Sequence, residues 1–199
     1  MCIRDRPCLL ITACGFPDMA TRAMVRHTLD ELGLPIFVLT DWNPHGLLLM
    51  LCYKHGSMHS GLNGHQCPSL QWLGLTSADT MQPLPASLFS GGAEHAAVDA
   101  ERRRVPQRDL QPYTQKDLSV LEALKLRHSV QADPALKREV AEMGVAQVKV
   151  EIEALSDAMS WGLPDDGAPR GFDDGFLTKF LVQKMDMELS KPAHVAQPA

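Results

Sequence analysis

Asp41-Trp42-Asn43 puts a carboxylate and an amide oxygen two positions apart, right after the apolar run Pro35-Ile36-Phe37-Val38-Leu39-Thr40. If the strand continues through them, both side chains point the same way. Both could then offer oxygen to a hard cation such as Mg²⁺, which takes one or two carboxylates and fills its shell with water or phosphate. Asp and Asn are also favoured helix caps, so the pattern alone favours a cap over a cation site. A second candidate is the turn Gly15-Phe16-Pro17-Asp18, which leads into Thr21 and Arg22. Amides at a helix start suit phosphate, and Arg22 offers a two-pronged donor to it. An ordinary tight turn with a surface arginine fits the same residues.

Two further groups of residues offer less. His45, Cys52, His55, His59, His65 and Cys67 form a loose cluster. His55 and His59 are four apart, but Gly56 interrupts a shared helix face, and the spacing matches no zinc pattern. For a nucleophile, Tyr53 falls in an apolar helix, Tyr113 in a polar stretch, and Cys14 has no evident His or Asp partner. Neither a GxSxG elbow nor a GxxxxGK[ST] loop is present. The residues alone offer a cation and phosphate site without a nucleophile.

The elements that must position these groups read as alternating strand and helix. Residues 9–12 (Leu9-Leu10-Ile11-Thr12) read as a short buried strand. Asp18 caps a helix with Met24, Val25, Leu29 and Leu32 at helical spacing, and Gly33 closes it. Residues 35–40 read as a strand buried on both faces, as in a parallel sheet. A helix over residues 46–53 ends near Gly56, and residues 70–73 form a third strand. This order implies a right-handed parallel α/β unit, in which ligands bind beyond the carboxyl ends of the strands. Asp41 stands at such an end. Residues 76–111 carry Pro83, Pro85, Gly91, Gly92 and Pro106 and read as an exposed insertion or linker. Helices are expected over 115–129, 134–143, 148–155 and 176–187, and a disordered tail after Lys191.

The chain has 199 residues, 45% hydrophobic and 22% charged, an ordinary globular balance that supports a sizeable core. Its longest apolar run, residues 47–52, is far short of the ~20 residues of a spanning helix. With 19 Lys+Arg against 24 Asp+Glu the net charge is -5, which argues against a uniformly basic nucleic-acid module and leaves local basic patches. Five cysteines at irregular spacing read as reduced thiols rather than a disulfide framework.

Several ordered blocks over residues 9–155 resemble one family. Gly15-Phe16-Pro17-Asp18-Met19-Ala20-Thr21-Arg22 resembles the GxPDxxTR segment of the topoisomerase VI A-subunit family, which includes the meiotic double-strand-break proteins of the sporulation-eleven type. Asp41-Trp42-Asn43-Pro44-His45-Gly46, with Tyr53-Lys54-His55-Gly56-Ser57, resembles its D-x-D-P-x-G and YK-x-GS blocks. The Leu70-Gln71-Trp72-Leu73-Gly74-Leu75 strand, Pro112-Tyr113-Thr114-Gln115-Lys116-Asp117, and Lys149-Val150-Glu151-Ile152-Glu153-Ala154-Leu155 resemble later blocks.

The resemblance implies an α/β toprim fold, a Rossmann-like parallel sheet flanked by helices, with a helical C-terminal extension. It implies a toprim core at 9–75, an insertion at 76–111, the rest of the toprim region at 112–190 and a tail at 191–199. Asp41 and Asn43 would hold Mg²⁺, and Arg22, Lys54 and Lys149 would meet the DNA backbone. Gly15, Pro17, Asp18, Thr21, Pro44, Gly46, Gly56 and Glu151 would be structural members of the motifs. Family members cut duplex DNA by transesterification through a Tyr on a separate winged-helix domain. The expected partners are double-stranded DNA, a second copy of the chain and an ATPase-like B-type subunit, with no membrane, in the nucleus.

The chain also departs from the pattern. None of the 14 residues before Gly15 is the family's upstream Glu, and neither Tyr53 nor Tyr113 stands where its nucleophile should. Residues 1–8 match no family block and read as an artefactual leader. The second metal position is Asn43 rather than Asp, which keeps one oxygen but loses a charge. The leading reading is the toprim part of a meiotic DNA-cleaving enzyme, incomplete and so inactive as written. The alternatives are a topoisomerase VI A subunit that relaxes DNA with a B subunit, and a non-catalytic DNA-binding or dimerisation module.

Overall fold

Parallel pairing of two apolar segments organises the molecule. The computed structural model describes residues 2–3, 6–12, 15–56, 65–85, 88, 103–156 and 174–191. At the start, β1 (Cys2–Ile3) and β2 (Arg6–Pro7) pair antiparallel. Residues 9–12, expected as a strand, form none: Leu9 and Leu10 are 65% and 59% exposed, and only Ile11 packs against the core. An apolar run becomes a strand only where a partner takes its hydrogen bonds, and none pairs with it among the described residues.

As expected, Asp18 starts α1 (Met19–Leu32), its carboxylate accepting the Thr21 N–H at 2.7 Å. Arg22 and Val25, three apart, are buried on this helix. Next, β3 (Phe37–Leu39) runs parallel to β4 (Gln71–Gly74), with a register shift between Val38 and Leu39. The crossover between them is α2 (Pro44–His55), with Pro44 at its first turn and Gly56 (φ +87°) at its end. Leu47, Met50 and Leu51 on α2 are buried at the helical period that the apolar run demands.

Part of the 76–111 stretch belongs to the core rather than to an exposed linker. After β4 comes the short α3 (Ser77–Thr80), and Leu84, Leu88 and Val105 are buried. Leu84 and Arg103 hold these segments together, Leu84 N–H donating to the Arg103 carbonyl at 2.9 Å. Residues 86–87 and 89–102 lie outside the described part.

A 3₁₀ turn (Gln107–Asp109) precedes β5 (Gln111–Pro112). Then come α4 (Gln115–Leu126), α5 (His128–Gln131) and α6 (Pro134–Ala146). Thr114 and Asp117 form a reciprocal cap on α4, and Asp133 caps α6. The helix expected over 148–155 is instead β6 (Val148–Lys149), antiparallel to β5, followed by the short α7 (Glu153–Ser156). The β-branched Val148 and Val150 favour extended backbone, and partners for it exist in β5 and at Trp42. Finally α8 (Asp174–Leu189) buries Phe176 and Phe180, and Lys184 Nζ lies 2.6 Å from Asp79 Oδ1 beside β4. The tail from residue 192 lies outside the described residues. One hydrophobic core joins α2, the region after β4, α4, α6 and α8 through Leu51, Leu75, Leu121, Met143 and Phe180.

Candidate metal centre

Asp41 follows the carboxyl end of β3, and the backbone around it is pinned on both sides. The parallel ladder reaches Thr40, whose N–H donates to the Gly74 carbonyl (2.8 Å) and whose carbonyl accepts the Leu75 N–H (2.6 Å). One residue past Asp41, Trp42 N–H donates to the Val150 carbonyl (2.9 Å) and Val150 N–H donates back (3.2 Å). Trp42 is fully buried. The segment after β6 thus forms the second wall of the site, and Ile152 N–H donates to Asp41 Oδ1 at 2.9 Å.

Asp41 and Asn43 take different partners. The Asn43 side-chain oxygen accepts the Gly46 N–H at 2.7 Å and caps α2, which is the cap role open to it from residue type. Asp41 is half-buried, and its carboxyl pKa is raised. Burial is the main cause, the Ile152 N–H opposes it, and the like charges of Glu153 and Glu151 add to it. Both glutamates are exposed. No salt bridge pairs a cation with Asp41 among the described residues.

This donor set fits Mg²⁺. Asp41 offers a carboxylate that no described cation pairs, and oxygen is the ligand a hard divalent ion prefers. Among the described residues no three His, Cys, Asp or Glu side chains converge as a ready-made cage. Mg²⁺ needs none, since it keeps several waters and binds through one or two carboxylates. His59 of the sequence-derived His/Cys cluster lies outside the described residues.

The basic residues divide. Arg22, expected on the surface against phosphate, is only 4% exposed. Its Nε and Nη2 are buried without a hydrogen-bond partner, and Nη2 stands 3.4 Å from where a β-carbon on Gly56 would lie. The guanidinium is thus enclosed against the end of α2 rather than spread over the surface. Lys54 is part-exposed in the last turn of α2. Lys149 Nζ lies 3.7 Å from Asp117 Oδ2, and His45 Nδ1 lies 3.2 Å from Asp117 Oδ1. Asp117 therefore bridges the first turn of α2 and β6. Of the other motif residues, Pro44, Gly46 and Gly56 are buried around α2, and Gly15, Pro17, Asp18 and Thr21 form the entry to α1.

Two organising residues escape a reading of the sequence for chemistry. Glu139 is a buried acid on α6 that accepts from Trp42 and Ser77. Its signal is an acid at helical spacing among Leu136, Val140 and Met143, all buried. Asp117 belongs to the Thr114-x-x-Asp117 cap, a pattern legible in sequence as a helix start.

Residues 1–89 match the family model for the toprim domain of Spo11 and the topoisomerase 6 A subunit, so residues 1–8, expected as a leader outside the family pattern, fall within the match. The human protein "Meiotic recombination protein SPO11" is 33% identical over 157 residues, covering 78% of this chain and 35% of that protein. The chain belongs to the Spo11/topoisomerase 6 A-subunit family. A rice (Oryza sativa subsp. indica) "Meiotic recombination protein SPO11-2" is 44% identical over 86 residues, 42% of this chain and 22% of that protein. The A3 subunit of DNA topoisomerase 6 from the same rice is 30% identical over 152 residues, 75% of this chain and 30% of that protein. The chain spans about a third of the length of the human relative. The β3–α2–β4 unit is accordingly a toprim-type α/β arrangement flanked by helices, and Asp41 stands at its strand end, where such folds place ligands.

Proposed function

We propose that this chain is the Mg²⁺-binding toprim part of a DNA-cleaving transesterase that makes meiotic double-strand breaks. The observation that carries the reading is Asp41: a half-buried carboxylate at the carboxyl end of β3, oriented by the Ile152 N–H and raised in pKa mainly by burial. Asp41 is the protein ligand of the ion, and the Asn43 oxygen, committed to the cap on α2, keeps a lone pair for an added contact. Bound Mg²⁺ would supply positive charge against a phosphoryl oxygen of the DNA. The chain's own contribution is positional: Ile152 N–H orients Asp41, and the Trp42–Val150 bridge fixes the loop.

Lys54 and Lys149 supply backbone phosphate contacts, with Lys149 partly neutralised by Asp117. Cleavage belongs to a tyrosine of a winged-helix domain, as the family resemblance implies. The assembly is a nuclear homodimer on double-stranded DNA with a B-type partner. The names of the relatives from human and mouse support the meiotic role. No described helix is long and apolar enough to cross a membrane. A second reading, an A subunit that relaxes DNA with an ATPase partner, is favoured by the similarity to the rice topoisomerase 6 protein. Titrating Mg²⁺ into the chain and into Asp41→Ala tests the site. Strand breakage that requires an ATPase partner and yields relaxed circles would select the second reading.

A further inference from the structure

We propose that Glu139 is the positioning residue of the Asp41 site, a buried carboxylate on α6 that locks both loops at the carboxyl end of the parallel strand pair. The inference rests on the reading of Asp41 as a metal ligand.

Glu139 Oε2 accepts the indole Nε1–H of Trp42 at 3.2 Å and the backbone N–H of Ser77 at 2.8 Å. Its Oε1 accepts the Ser77 hydroxyl at 2.9 Å. Trp42 follows Asp41 in the loop after β3, and Ser77 opens α3 in the loop after β4. One side chain therefore joins the two segments that leave the sheet at its ligand-binding end. It does so 97 positions away from Trp42 in sequence. Trp42 is also clamped through its backbone to Val150, two residues before the N–H that orients Asp41. Releasing the indole loosens the same backbone that aims the carboxylate.

Glu139 is buried, and none of the salt bridges among the described residues involves it. A buried carboxylate satisfied by hydrogen bonds alone is costly to place, and hydrophobic residues of similar size commonly hold a helix as well. The three bonds to site loops are what an apolar residue cannot supply. The Ser77 hydroxyl can accept as well as donate. A glutamine here therefore keeps all three contacts, with its amide NH₂ donating to Ser77 Oγ and its carbonyl taking the other two donors. That separates positioning from charge.

The test uses the 199-residue chain with Glu139→Gln, Glu139→Leu and Trp42→Phe, read by Mg²⁺ calorimetry and by amide hydrogen exchange. Outer-shell partners of metal sites typically change affinity about 10- to 100-fold. The expected result is a loss of about 10-fold or more in Glu139→Leu and a smaller loss in Trp42→Phe, which deletes one donor and keeps an aromatic ring. Glu139→Gln should bind like wild type. Exchange at the Trp42 and Ile152 amides should quicken in Glu139→Leu and stay slow in Glu139→Gln.

Equal affinity in Glu139→Leu and wild type overturns the proposal. So does a Glu139→Gln that is as weak as Glu139→Leu, because charge rather than position would then be acting. If Glu139→Leu does not fold, unchanged binding and exchange in Trp42→Phe overturns it. Should wild type itself take up no Mg²⁺, the metal reading fails while exchange still decides this inference: unaltered protection at Ile152 in Glu139→Leu refutes it.

Discussion

Asp41 and Ile152 lie 111 positions apart and are joined by one hydrogen bond, the Ile152 N–H donating to Asp41 Oδ1 at 2.9 Å. The bond sets the direction of a carboxylate that burial and two nearby glutamates make expensive to ionise. It also ties the segment 149–155 to the segment 41–46. The first supplies the wall and the orienting amide, and the second supplies the carboxylate and the helix start.

Gly46 is fixed by the same loop. A β-carbon built there runs into the Asp41 carbonyl oxygen and also approaches the Asp41 carbonyl carbon (3.2 Å) and nitrogen (3.3 Å). These are backbone atoms and cannot swing aside. Gly46→Ala is expected to cost about 1–3 kcal/mol in chemical denaturation, the usual range for forcing volume into a packed site. It should also weaken Mg²⁺ binding. Wild-type stability in that variant would show the loop to be far more yielding than its contacts indicate.

Asp117 gives the acid limb of stability. Burial works to raise its carboxyl pKa, but the Thr114 hydroxyl and N–H, then Lys149 and His45, outweigh burial and hold it below the ordinary 3.8. A carboxylate with a depressed folded-state pKa contributes stability that is complete above its unfolded value and is lost as pH falls through the folded one. The stability gap between wild type and Asp117→Asn should therefore be constant near neutrality. It should shrink below about pH 4 in urea unfolding measured across pH. Curves that stay parallel down to the acid end would contradict this.

DNA binding is expected to weaken most at Lys54. Removing one phosphate contact flattens the salt dependence by about one counterion. Lys54→Ala should do so in binding titrations at several salt concentrations. Lys149→Ala should do less, because its ammonium already faces Asp117 at 3.7 Å. A full-size effect at Lys149 and none at Lys54 would reverse the assignment.

Legibility in the sequence follows locality. The Asp18 cap, α1, α2 with Gly56 at its end, β4 and α6 are readable because caps, glycine and the helical period act within a few residues. Residues 9–12 mislead because strand formation depends on a partner that the local run does not reveal. The segment over 148–155 misleads because its partners, Gln111–Pro112 and Trp42, lie far off in sequence. At the site, Asp41 is legible from its strand end. The Glu139–Trp42 and Asp41–Ile152 bonds are not, being contacts across 97 and 111 positions. Arg22 is legible as a motif residue but not as a buried one, since burial on α1 depends on what packs above it.

The most direct measurement is calorimetric titration of Mg²⁺ into the 199-residue chain and into Asp41→Ala, with circular dichroism confirming that both are folded. A saturable binding heat in wild type that disappears in the variant is the predicted result. Equal Mg²⁺ affinity in the two proteins would contradict the assignment of Asp41 as the metal ligand and, with it, the metal-binding reading of the chain.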